Sequence, residues 1–196
     1  QAQNWDAVLE LTEVLAKRQP TNKTLVKKLR HDTQIENIRS KASDLQSLNQ
    51  YWQHLSPLEK MDSKLAVTAT RAYITLGNCT TAHQLIEQSV PITWDMELIA
   101  LYAECLDYHV HRQIECAEVW LKSQPNNAQL LLTLGKLCTH CELWGKAQNY
   151  LEASLSVEPG HKAHFALAQL NEKLGKHELA MAQYNKGLEL TLKQLN

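Results

Sequence analysis

The sequence predicts an all-α fold, a right-handed superhelical stack of antiparallel helix pairs with about 10–11 helices. Gly and Pro are scarce, at 6 and 5 of 196 residues, and Leu, Ala, Gln, Glu and Lys, which favour helices, are abundant. No run alternates β-branched and polar residues as a half-buried strand does. A pattern of small and large residues recurs about every 33 positions, which indicates stacked structural repeats.

The clearest repeat spans residues 128–160. Its characteristic positions hold Leu131, Leu134, Gly135, Ala147, Leu151, Ser154 and Pro159. Gly135 and Ala147 are small where two antiparallel helices must cross closely, and the leucines fill the seam around them. Pro159 ends the second helix because proline cannot continue one. This arrangement is the tetratricopeptide repeat (TPR) pattern, in which each helix pair buries its apolar face by stacking on its neighbours.

A second repeat follows without a gap at residues 161–194. Leu192 replaces the terminal proline there, so we expect the last helix to run on as a cap. The matching residues are Leu167, Ala168, Gly175, Ala180, Tyr184 and Gly187. A weaker copy at residues 63–94 carries Ala66, Ala69, Tyr73, Gly77, Ala82, Ile86 and Ser89.

The spacing breaks between residues 95 and 127. We predict one helix over 95–111 and a shorter second helix over 114–125. Upstream, the apolar spacing predicts helices over about 4–18, 22–42 and 43–55. Four prolines are predicted to lie between helices: Pro20, Pro57, Pro91 and Pro125. We therefore divide one continuous solenoid into degenerate helical repeats at 1–62, diverged TPR-like repeats at 63–127, and two TPR units with a cap helix at 128–196.

The net charge and the sequence motifs limit the classes of function that this chain can have. The 20 basic and 21 acidic residues nearly cancel, which disfavours a phosphate-binding surface, so no nucleic-acid partner is expected. No apolar run reaches the roughly 20 residues needed to span a bilayer. The first residues already look like the middle of a repeat, so we expect a fragment of a longer protein. No nucleophile elbow is present, and we predict a non-enzyme without catalytic residues, cofactor or metal.

Several segments resemble the C-terminal part of the HemY-type family, which are bacterial inner-membrane TPR proteins associated with protohaem biosynthesis. The segments are AEVWLKSQPNNAQLLL (117–132), LLLTLGKLC (130–138), ELWGKAQNYLEASL (142–155) and GLELTLKQLN (187–196), with a similar aromatic pair at Tyr51–Trp52. The resemblance implies an N-terminal membrane anchor absent from this sequence and a soluble domain on the cytoplasmic side of the inner membrane. It also implies protein partners among haem-biosynthesis enzymes. The flavin-dependent oxidase that shares the family's name would need a GxGxxG motif, which this sequence lacks.

Cys138-Thr-His-Cys141 allows two interpretations. A CxxC pair can be redox-active or half of a zinc site, which Cys116, His109 and His111 would complete. The two thiols can equally line a helix seam, because residues three apart share a helix face. The family context adds an alternative function, a haem or porphyrin carrier or sensor. Its candidate ligands are these cysteines and the side chains of His109, His111, His140 and His177.

The first helices of stacked pairs line a concave groove, and helical spacing selects the residues that face it. We expect these to include Arg71, Lys136, His140, Phe165, Gln169 and Lys173. Such a surface suits an extended peptide or helix that carries acidic groups or a C-terminal carboxylate. The alternative is that Phe165 packs within the core and the basic side chains only solubilise the surface. The predicted function is therefore a protein-interaction scaffold.

Overall fold

The computed structural model describes residues 5–18 and 23–195. Within these ranges the chain is helical with connecting turns and contains no strand, which confirms the predicted fold class. The chain divides into two compact units, of which the first ends at Thr93 and the second begins at Trp94. No helix in the described part of the chain is long and apolar enough to cross a membrane.

The first unit contains six helices among its described residues. They are α1 (Trp5–Arg18), α2 (Lys23–Ser40), α3 (Leu45–His54), α4 (Pro57–Lys60), α5 (Ser63–Thr75) and α6 (Cys79–Thr93). Helix α1 packs on α2, α5 on α6, and α2 on α5. Ile38, Leu48, Leu65, Tyr73 and Ile86 are fully buried between them. The predicted helices of this region therefore form, with one additional short helix.

Side-chain caps fix where the helices of this unit begin. Asp44 accepts hydrogen bonds from the backbone N–H groups of Gln46 and Ser47 at the start of α3. Ser56 and Glu59 form a reciprocal capping box around α4, and Asp62 caps α5. Each carboxylate or hydroxyl satisfies an N–H group that has no partner inside its helix.

The second unit, as far as residue 195, also contains six helices. They are α7 (Met96–Leu101), α8 (Val110–Ser123), α9 (Ala128–His140), α10 (Trp144–Val157), α11 (His161–Lys173) and α12 (His177–Leu195). Helices α9 and α10 form one tight pair, and α11 and α12 form the next. These pairs are the two repeats predicted at 128–160 and 161–194. The twelve helices described in both units exceed the expected 10–11 because the short helix α4 was not predicted.

The prediction for residues 95–127 was wrong about which helix is short. Helix α7 ends at Leu101 and α8 already begins at Val110. The Gln113 side-chain amide donates to the Tyr102 carbonyl at 2.8 Å in the interior, and the Tyr102 ring lies 5.1 Å from that of Trp120. These long-range contacts hold 102–109 as an irregular segment, which the local pattern could not show.

The structure confirms the predicted positions of the prolines only in part. Pro125 lies between α8 and α9 as predicted, whereas Pro57 is the first residue of α4, where its missing N–H is not needed. Pro91 was wrongly placed between helices, since it lies inside α6, within the last turn. Pro20 is outside the described residues.

Candidate functional site

Four of the predicted groove residues line one open cavity of about 530 Å³ in the second unit. Lys136 and His140 come from α9, and Gln169 and Lys173 come from α11. The remaining lining residues are Thr139, Ala166, Glu172, Ala103 and Leu106. The cavity therefore lies between the first helices of the two C-terminal repeats and is bordered by the segment that follows α7.

Helical periodicity explains how α9 and α11 present these side chains. On α9, Leu134, Leu137 and Cys138 are fully buried, while Lys136 and His140 are exposed, four residues apart on another side of the helix. On α11, Gln169 and Lys173 are again four residues apart and exposed. Two i, i+4 pairs on neighbouring helices thus meet across one groove.

Lys136 is the most perturbed charge in this groove. Burial lowers the pKa of Lys136, the nearby carboxylate of Glu104 opposes that shift, and Lys162 adds a little repulsion. The residue as a whole remains exposed by area. The ammonium group of Lys136 is therefore only partly hydrated. A carboxylate of a bound partner interacts more favourably with such an ammonium group than with a fully solvated ammonium group.

The acidic residue of the groove is already engaged. The Tyr184 hydroxyl donates to Oε2 of Glu172 at 2.9 Å, and this hydrogen bond raises the pKa of Tyr184. The lining also contains the positively charged ammonium groups of Lys136 and Lys173. The lining side chains alone thus have a positive excess, which the neighbouring Glu104 carboxylate offsets close to Lys136.

Phe165 does not line this groove. Its half-buried ring lies over Gly187 in the seam between α11 and α12, 6.3 Å from the ring of Tyr184 and 6.1 Å from that of His161. A Cβ atom at Gly187 would approach Cε1 of Phe165 to 2.5 Å. The packing interpretation of Phe165 therefore holds, because glycine leaves the gap that its ring fills.

Arg71 lies exposed on α5 in the first unit, so it belongs to a different compact unit from the other five candidates. Conversely, sequence reasoning missed Ala103 and Leu106, which border the groove. Both fall in the irregular segment that had been predicted as helix. The broken repeat spacing at 95–127 was the one available signal that this stretch differs.

The CxxC pair has the environment of a packing seam. Cys138 is fully buried, and burial raises the pKa of its thiol to about 11. Burial also raises the pKa of Cys141, and neither of these two thiols forms a disulfide. Redox and metal chemistry both need the thiolate, which these shifts disfavour. Within the described ranges no group of three His, Cys, Asp or Glu side chains is placed to hold a metal ion.

Comparisons with known proteins agree with this architecture. Residues 161–194 match the family model of the tetratricopeptide repeat. The fold is that of a TPR solenoid. No curated protein matches the sequence significantly.

Solved structures show the same fold at low identity. The thermophilic TPR protein TTC0263 of Thermus thermophilus is 19% identical, with 97% of this chain and 93% of that chain covered and a TM-score of 0.59. MamA from residue 41 onward, of Desulfovibrio magneticus RS-1, is 18% identical over 84% and 94% of the chains, with a TM-score of 0.56. A further MamA crystal structure is 16% identical over 82% and 96%, also at 0.56. At these identities the likeness concerns the fold alone.

Proposed function

We propose that the second unit is a non-enzymatic scaffold that binds a segment of a partner protein in the groove between α9 and α11. The observation that carries this proposal is the convergence of Lys136 and Lys173 on one open cavity of about 530 Å³. A cavity of that size accommodates several residues of a bound peptide. Two ammonium groups on its walls favour a segment that ends in a carboxylate or carries acidic side chains.

The other walls define what accompanies the acidic groups. Leu106 and Ala103 offer an apolar border on one side of the groove, and Gln169 offers both an amide donor and a carbonyl acceptor. A partner that places one apolar side chain beside Leu106 and carboxylates near the two lysines would use every wall. The partly desolvated Lys136 would supply the strongest single contact.

The pathway assignment is a separate part of this proposal. It is supported by the resemblance of four segments, strongest after residue 115, to the HemY-type family. On that basis the partners are enzymes of haem biosynthesis, the full-length protein is held at the inner membrane by an N-terminal anchor, and this domain faces the cytoplasm. The near-neutral charge, 20 basic against 21 acidic residues, supports protein partners over nucleic acid.

Charge reversal in the groove tests the proposal. The double variant Lys136→Glu/Lys173→Glu should release partners that the unaltered chain captures from bacterial membrane and cytosol extracts, because it replaces attraction by repulsion. A matched control, Lys122→Glu/Lys176→Glu, makes the same charge change at exposed positions outside the cavity and should keep them. If the groove variant and the control retain the same partners, the groove assignment is wrong.

Titration with haemin separates this function from a haem carrier. The burial of Cys138, which raises the pKa of its thiol, disfavours it as a haem ligand and so favours the scaffold. We expect no shift of the Soret band beyond that seen with an unrelated control protein. A saturable shift abolished by His140→Ala would instead favour the carrier.

A further inference from the structure

Helix α12 presents an apolar stripe that no part of the described chain covers. Met181, Leu188, Leu192 and Leu195 are 62%, 53%, 52% and 78% exposed. Their spacing of seven, four and three residues places them on one side of the helix. We call these four residues the α12 stripe. Ala180 and Gly187, by contrast, are buried on the side of α12 that faces α11.

The preceding repeat shows what such a surface accepts. Leu155 on α10 stands 33 positions before Leu188, as Ala147 does before Ala180. Leu155 is only half-exposed, and α10 packs against the next helix, α11. The corresponding side of α12 is therefore shaped to receive another amphipathic helix.

We propose that the α12 stripe binds the α12 stripe of a second copy of this chain, with the two helices antiparallel. The stripe is self-complementary in that orientation. With Leu188 opposite Leu188 of the second copy, Met181 lies opposite Leu195 and Tyr184 lies opposite Leu192, because each pair is equally spaced about residue 188. A twofold axis through Leu188 thus brings three members of the stripe against members of the other stripe, and Leu192 against the half-buried Tyr184.

The size of the surface indicates a weak dimer. The four exposed side chains offer an apolar patch on the order of 500 Å², which is large for the surface of a monomer. Two such patches bury roughly 1,000 Å² in total, at the lower limit of specific interfaces. We therefore expect a reversible dimer that dissociates on dilution.

Sedimentation velocity of the 196-residue chain over two decades of concentration tests the pairing. The unaltered chain should shift from monomer to dimer, and Leu188→Glu should weaken the dimer by roughly tenfold or more, because it buries two charges at the twofold axis. Leu179→Glu is the matched control. Leu179 is the same residue type on the same helix and is 54% exposed, but it lies on the opposite side from Leu188.

Circular dichroism of each variant should show an unchanged helical fold. A chain that stays monomeric throughout, or a Leu188→Glu variant that dimerises as the unaltered chain does, would each overturn the proposal. Lys136→Glu/Lys173→Glu should leave the dimer intact, so this result and the groove assignment can fail independently.

Discussion

The two C-terminal repeats, 128–160 and 161–194, both cross their helices at a glycine, but the glycine stands on opposite helices. In the first, Gly135 of α9 lies under Leu151 of α10. In the second, Gly187 of α12 lies under Phe165 of α11. The side chains that pack over the two glycines also differ in burial, since Leu151 is fully buried and Phe165 is only half-buried. The repeat therefore requires one small residue at the crossing and leaves open which helix supplies it.

Removing the large partner should produce the largest difference between the repeats. Leu151→Ala should lower the free energy of unfolding by about 2–5 kcal/mol, because it leaves a cavity over Gly135 in the core. Phe165→Ala should cost less, since part of its ring already contacts water. Urea unfolding followed by circular dichroism measures both. A larger loss for Phe165→Ala would show that the second seam is the tighter one.

Adding one methyl group at each glycine comes next. The new Cβ at Gly135 would lie 2.5 Å from Cδ2 of Leu151, which is enclosed on all sides, so Gly135→Ala should cost about 1–3 kcal/mol of stability. At Gly187 the half-exposed Phe165 ring can move aside, and the cost should be below about 1 kcal/mol. Gly145→Ala is the control, because nothing lies within 4 Å of that Cβ position.

Substitutions in the turn after the first helix of each repeat should change the unfolding free energy by less, and one of them should raise it. Glu142, Gly175 and Gly77 occupy the same repeat position with φ values of 58°, 70° and 71°. In each turn the next N–H donates to the carbonyl five residues before it, as in Leu143 to Cys138 at 2.9 Å.

Only Gly adopts that conformation without strain. Glu142→Gly should therefore raise the unfolding free energy by about 1 kcal/mol, and Gly175→Ala should lower it by a similar amount. Thermal unfolding of the two variants checks both signs. A destabilised Glu142→Gly variant would mean that the glutamate side chain contributes a contact that outweighs the strain.

The smallest effect concerns an ion pair found beside the first repeat. Glu118 of α8 accepts hydrogen bonds from the Lys146 ammonium at 3.0 Å and from the Tyr150 hydroxyl at 2.8 Å. The hydrogen bond from Lys146 contributes most to lowering the pKa of Glu118. A carboxyl with a lowered folded pKa stabilises the fold above its unfolded pKa, about 4.3, and loses that contribution as the pH falls through the folded value.

Glu118→Gln should accordingly flatten the dependence of the melting temperature on pH at acid pH. The difference should be small because the pair is near the surface and screened by salt. In the second repeat the corresponding contact, Tyr184 to Glu172, lies within the repeat. Glu172→Gln is the matched control, because it leaves the contacts of Glu118 between α8 and α10 unchanged.

Much of the groove could be predicted from the sequence, because it follows from spacing along single helices. Lys136 with His140 and Gln169 with Lys173 are i, i+4 pairs on helices whose apolar positions are unmistakable, so their solvent side is fixed locally. Arg71 was chosen by the same rule, but it lies in the other compact unit. Spacing within a helix says nothing about which helices share a surface.

The sequence by itself determined the helix pairs at 128–160 and 161–194, the glycines at their crossings and the basic character of the exposed side of α9. Only the tertiary structure decided that Phe165 turns into the gap left by Gly187 and that residues 102–109 leave the helix to border the groove with Leu106. The physical reason is one of range. Periodicity and helix propensity act within a few residues, whereas the direction of a half-apolar ring or the end of a helix depends on contacts such as Gln113 to Tyr102, which form only when distant segments pack.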